Sequence, residues 1–123
     1  MKMLRLSDLP DNREGHFLQG VVPGDYLYLG GLGFKQPGFR THTDDGPGGI
    51  DQHIHEDECE VFIILQGKAR MEVDGVEHPM TTGDICIVEA GEDHHLISDE
   101  DDPCVNIWLH AGNRRHPDQR KEN

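Results

Sequence analysis

An all-β domain, a sandwich or a closed barrel, is the fold class this sequence predicts. Three observations carry the prediction. Short apolar, β-branched runs recur along the chain with turn signals between them roughly every 6–12 residues. Two stretches alternate cleanly between apolar and polar or small residues: 68–74 and 104–110. The composition holds 15 glycines and 7 prolines against an apolar fraction of 34%. That balance suits a turn-rich β domain better than a helical bundle.

Taken in order, residues 1–24 carry a weak apolar pattern, Met3, Leu4, Leu6, Leu9, then Phe17, Leu18, Val21 and Val22. Pro10, Gly15 and Gly20 interrupt any long helix, so this arm reads as one strand followed by a loop. Residues 25–30 form a strand. Residues 31–40 read as glycine-spaced loop and turn, and 39–43 as a short strand. The run 44–49 is a loop by composition. Residues 60–65 are a strand, and 68–74 place Ala69, Met71 and Val73 on one face. Asp74-Gly75 is a two-residue hairpin signal, and 76–80 returns. Strands at 85–88, 94–98 and 104–110 complete about eight. From 113 onward the chain is polar and reads as a frayed tail. The organisation is thus an arm (1–24), one domain (25–112) and a tail (113–123).

The chemistry concentrates in residues 52–67. His53 and His55 are two apart, so in an extended strand both imidazoles share one face, roughly 6–7 Å apart. A short acidic turn, residues 56–58, brings Glu60 back toward them. Two imidazole nitrogens and a carboxylate suit a first-row divalent metal. His94 heads the strand 94–98 and is a fourth candidate ligand. Alone, two histidines on a strand are an ordinary surface feature.

These residues resemble the cupin family. Its first motif is matched by His53, His55, Glu60 and Gly67, with Pro47 where a leading glycine is expected. Its second is matched by Gly83, Gly91 and His94, with Glu89 in place of a proline and Ser98 in place of an asparagine. The resemblance spans roughly residues 25–110 and implies a cupin-like jelly-roll β-barrel with His53, His55, Glu60 and His94 as metal ligands. It also implies that the leading strand can pack on a second subunit, giving a homodimer. A strand closing its own sheet is the other reading.

Three imidazoles and one carboxylate leave two positions of an octahedral ion open. Fe, Mn or Ni suit that arrangement, with Zn or Co as further candidates. The function expected is that of a metal-dependent enzyme, a dioxygenase or a lyase/isomerase, acting on a small oxygenated molecule that chelates the ion. A non-catalytic sugar or metabolite binding module, or the sensor half of a regulator, are the other classes. Tyr26, Arg40, His42, Phe62, Arg70 and Trp108 are candidate pocket residues, with Tyr28, Lys68, His78 and His110 beside them. His95, next to His94, should point to the opposite face.

The formal charge of −13 argues against nucleic acid and anionic membranes as partners, leaving a small-molecule ligand. Glu56, Asp57, Glu58, Glu92 and Asp93 flank the ligands and predict an acidic entrance that disfavours multiply charged acids. Cys59, Cys86 and Cys104 have no metal or redox spacing. With no apolar leader in the first eight residues, they indicate a reducing cytoplasm. Cys86 and Cys104 read as core residues. Cys59 should face away from Glu60.

Overall fold

Asp74 and Gly75 turn the chain back on itself with φ of 48° and 83°, both in the left-handed region that a type I′ hairpin requires. The strands they join, β4 (Lys68–Val73) and β5 (Val76–Thr81), pair in register from Val73↔Val76 to Lys68↔Thr81. Around this hairpin the computed structural model describes residues 1–9, 17, 18, 20–22, 26–41 and 58–112. The other elements are β1 (Lys2–Arg5), a 3₁₀ turn (Leu6–Asp8), β2 (Tyr26–Phe34), β3 (Cys59–Gln66), β6 (Asp84–Val88), β7 (His94–Ser98) and β8 (Val105–Gly112).

The described strands form two antiparallel sheets. One has five strands in the order β1-β6-β3-β8-β2, the other three in the order β5-β4-β7. A single bridge, Arg40↔Ile97, adds the segment before residue 42 to the free edge of β7. This is the predicted all-β, two-sheet jelly roll. Among the described residues the strands read from sequence appear, with two differences; the strand expected to carry His53 and His55, and residues 42–43, lie outside them. Residues 39–41 contribute that bridge rather than a strand. And β2 runs on past Gly30 through Gly31 and Gly33, where composition reads as loop.

The glycines are in the strand because β8 packs hard against them. A Cβ on Gly31 would lie 2.7 Å from the Trp108 indole nitrogen, and one on Gly30 would lie 2.6 Å from a Leu109 methyl. Close approach by a bulky cross-strand neighbour replaces the side chain that a strand position ordinarily carries.

Alternation gives the five-stranded sheet two buried faces. Facing the three-stranded sheet are Phe62, Ile64, Cys86 and Val88, which pack with Ala69, Met71, Val73, Met80, Leu96 and Cys104. On the reverse face, Cys59, Val61, Ile63, Ile85 and Ile87 pack with Leu18 and Val22 of the N-terminal stretch. Each such aliphatic side chain contributes about 1.5–3 kcal/mol on burial. β1 pairs with β6 of its own chain, from Lys2↔Ile87 to Arg5↔Asp84. Of the two readings left open for the leading strand, the structure shows the one that closes its own sheet. The tail at 113–123 lies outside the described residues.

Gly67 joins β3 to β4 at φ 77°, and a Cβ there would meet the Pro103 carbonyl oxygen at 2.2 Å. Gly75 has φ 83° but nothing within 4 Å. Gly75→Ala should therefore cost about 1 kcal/mol of conformational strain alone. Gly67→Ala adds a backbone clash and should cost about 3 kcal/mol or more. Urea unfolding of the two variants checks the ordering; equal losses would mean the 67–103 contact is slack.

Candidate functional site

Strand alternation places Glu60 on the inner face of β3, between outward Cys59 and Val61. His94 comes from the opposite sheet as the first residue of β7. The turn before it is pinned twice. The Glu89 N–H donates to Glu92 Oε1 at 2.8 Å. Beyond it, the Asp74 N–H donates to the Asp93 carbonyl at 2.8 Å, and the Asp93 N–H donates to Asp74 Oδ1 at 3.0 Å. The β4–β5 hairpin thus fixes where β7 begins, and with it the His94 ring. Phe62, two residues on from Glu60, packs edge-on against that ring at 5.9 Å.

Glu60 and His94 meet. Oε1 of Glu60 lies 3.0 Å from Nε2 of His94, and the two residues are 4% and 1% exposed. The other ring nitrogen, Nδ1, lies 3.0 Å from the Glu92 carbonyl oxygen. A carbonyl only accepts, so Nδ1 carries a proton and donates it. In neutral imidazole, Nε2 is then a bare lone pair aimed at a carboxylate. Two acceptors at that distance are joined by a proton, carried by either group, or by a shared cation.

The donor set fits a divalent metal. An imidazole held through Nδ1–H to a backbone carbonyl, presenting Nε2, is the usual posture of a metal-ligating histidine. Two ligands at right angles on one ion, each about 2.1 Å away, stand about 3.0 Å apart, the separation seen here.

A second imidazole stands beside the pair. His110 on β8 is opposite Glu60 in register, with Nε2 3.9 Å from Glu60 Oε1, and its Nδ1 is hydrogen-bonded to Glu58 Oε1. Its ring stacks edge-on against Trp108 at 5.6 Å. From sequence, His110 is one of several optional pocket residues and Glu58 belongs to an acidic entrance. Both belong to the site. Two signals pointed there: Glu58 is two residues from Glu60 on an extended segment, and His110 ends the alternating face Asn106–Trp108–His110.

A sequence model of the cupin domain family matches residues 41–110 of the chain. The chain belongs to the cupin family. Among curated proteins it resembles the oxalate-binding protein of Thermotoga maritima, 35% identical over 47 residues, which are 38% of this chain and 39% of that protein. The chain therefore matches well under half of that relative's length. Among solved structures it resembles a cupin protein from Bacteroides fragilis, with TM-score 0.57 and 17% identity over 67% of this chain and 63% of the other. It also resembles a sugar phosphate isomerase of the cupin superfamily from Silicibacter pomeroyi, with TM-score 0.55 and 21% identity over 89% and 57%. At such identities these likenesses speak for the fold.

In this cupin, His53 and His55, the first two predicted ligands, lie outside the described residues, as does His42. Among the described residues, no group of three or more His, Cys, Asp and Glu is arranged to hold a metal. The described half of the expected set is Glu60 with His94. Phe62 and Trp108 lie on the inner face, as candidate pocket residues should. The basic candidates do not. Lys68 and Arg70 are on the exposed face of β4, where Arg70 pairs with Glu77 at 3.2 Å. Arg40 pairs at 2.6 Å with Glu72, which is on that same outer face. His78 is half-buried opposite Met71. His95 points away from His94 as alternation requires, yet it is fully buried. Its Nδ1–H donates to the Thr41 carbonyl at 2.8 Å, and Nε2 lies 3.2 Å from Asp93 Oδ1. Its role is to hold the 39–41 segment onto β7.

All three cysteines are reduced and buried. Burial pushes each thiol up, Cys86 to about 12. A thiol whose folded pKa is raised stabilises the fold fully below its unfolded value near 9 and loses that contribution as pH climbs toward 12. Two outcomes are expected. At pH 8 the native protein should react slowly with a disulfide reagent, and three thiols should titrate at once in denaturant. Unfolding midpoints should fall between pH 9 and pH 11; a flat profile, or fast reaction in the native state, would contradict the burial described.

Proposed function

We propose that this cupin is a metal-dependent protein of small-molecule chemistry, in which His53, His55, Glu60 and His94 hold one divalent ion. The observation that supports the reading best is the buried Glu60–His94 pair, whose two acceptor atoms face each other at 3.0 Å while Nδ1 is committed to the Glu92 carbonyl. Cupins commonly bind a metal. Fe, Mn or Ni suits a mixed nitrogen and oxygen donor set with open positions; Zn or Co would also be accepted.

When bound, such an ion polarises an oxygen of a chelating substrate and stabilises the charge that develops on it. The chain's own residues do the rest. Glu60 and His94 are anchored on opposite sheets, so the site is preorganised by the sheet packing itself. Glu58 and Glu60 flank His110, and this imidazole is placed to carry a proton to or from a ligand held beside Glu60. Phe62 and Trp108 supply an apolar wall that keeps water from the ligand's non-reacting part. The substrate class proposed is a small oxygenated molecule with two oxygens able to chelate. The Thermotoga maritima relative is named for binding a ligand of that class. The favoured reaction is a dioxygenase-type oxidation or a lyase/isomerase step; the second reading is a binding module without turnover.

We also propose that the chain is a homodimer. Leu32 and Phe34 on edge strand β2 are 52% and 73% exposed, and neither β2 nor β8 beside it carries an Asp, Glu, Lys or Arg. A charge-free apolar face lets two acidic chains approach.

Protein purified without chelator should contain about one divalent ion per chain by elemental analysis. His53→Ala and His94→Ala should each lower occupancy at least tenfold while the far-ultraviolet circular dichroism stays that of a β protein. Oxygen consumption with Fe(II), run against diols, catechols and 2-ketoacids, separates the two readings: ligand binding without turnover across the panel favours the binding module. Full metal occupancy in both variants would end the four-ligand assignment.

A further inference from the structure

Asn106 on β8 is 1% exposed, and neither its Oδ1 nor its Nδ2 has a hydrogen-bond partner. Buried carboxamides in folded proteins are nearly always satisfied, so one left open at both ends calls for a cause. Its position supplies one. In register it stands opposite Ile64 of the inner core on one side and Gly33 on the other, so its side chain is on the face that encloses the barrel interior. Two residues further along that face is half-buried Trp108, and two beyond it is His110, which adjoins Glu60. The β2 residues opposite Asn106 and Trp108 are both glycine, and a Cβ on Gly33 would lie 2.9 Å from Asn106 Oδ1. These two β2 positions offer no side chain of their own to the amide; the nearest one is Lys35, just past the strand, whose Nζ would lie 2.5 Å from the same Gly33 Cβ without hydrogen-bonding Asn106.

We propose that Asn106 is a ligand-binding residue that reads a hydroxyl group on the far end of a small polyhydroxylated molecule lying along Trp108. A carboxamide offers one acceptor and donors from one planar group, and a hydroxyl answers both at once. The aromatic face of Trp108 suits the C–H face of a polyol, and His110 and Glu60 lie at the other end of the same row. The inference rests on the reading above that a small oxygenated ligand occupies the barrel, and it extends that reading to the end of the ligand remote from the metal. It also explains the open amide: a polar group left unmatched in the free protein rejects ligands that lack the matching hydroxyl more strongly than an apolar wall could.

The test uses the chain's one tryptophan, Trp108, as its own reporter. Metal-loaded protein is titrated with D-sorbitol and with D-gluconate while tryptophan emission is followed. Metal content is measured separately by elemental analysis. At least one of the two compounds should give a saturable change. Asn106→Leu, which keeps the shape and removes the unmatched polar atoms, should weaken that response at least tenfold. It should also raise the ligand-free unfolding temperature and leave metal content unchanged. Gly33→Ala, which crowds Oδ1, should weaken the response while the protein stays folded. No saturable response to either compound, equal affinity in Asn106→Leu, or a lower ligand-free unfolding temperature in that variant would each overturn the proposal. Asn106-dependent binding in protein that holds no metal would leave this inference standing and remove the metal reading.

Discussion

A carboxylate and an imidazole lone pair cannot rest 3.0 Å apart in a dry interior unless a proton or a cation joins them. That constraint organises the molecule. Removing two polar groups of this kind from water costs several kcal/mol each unless they are matched. The fold tolerates the expense because neither group can retreat. Glu60 is embedded in central strand β3, flanked in register by Val88 on one side and His110 on the other. His94 is tethered by its own ring to the Glu92 carbonyl, in a turn that the Asp74–Gly75 hairpin locks through Asp93. A loop-borne pair would swing apart to find solvent; a pair mounted on two facing sheets is held in place.

The remaining inner face grades away from that pair. Glu58, Glu60, His94 and His110 are polar and titratable; Phe62 and Trp108 are aromatic; Ile64, Met71 and Leu96 are aliphatic. The face thus runs from charge at one end to apolar groups at the other. Asn106 is the exception to the gradient, a lone carboxamide set among apolar residues.

Much of this was legible in the amino-acid order. The period-2 alternation of residues 68–74 set which face of β4 is buried, because a strand has only two faces and Ala69, Met71 and Val73 share one. Asp-Gly set the hairpin, since few residue pairs accept positive φ twice. The spacing of Glu60 and His94 within two motifs brought them to one point, though they are 34 residues apart. What escaped was decided by contacts between strands. Gly31 and Gly33 look like loop in one dimension, and only their cross-strand neighbours Trp108 and Asn106 explain them as strand. His110 reaches Glu60 through β3–β8 register, which strand alternation alone leaves open, and Glu58 joins the site through His110. Arg40 and Arg70 offered charge for a substrate, but strand parity and the Glu72 and Glu77 carboxylates hold them outside.

The five-stranded sheet is covered on both faces, by the inner core on one side and by Leu18 and Val22 on the other. Its middle strands are therefore insulated from solvent, whereas the outer face of β4 is open. Amide protons of β3 should accordingly be the slowest in the molecule to exchange with deuterium, opening only when the whole domain does. Glu60 would then be carried by the most persistent piece of the fold, so that the anionic half of the site outlasts fluctuations that loosen its rim.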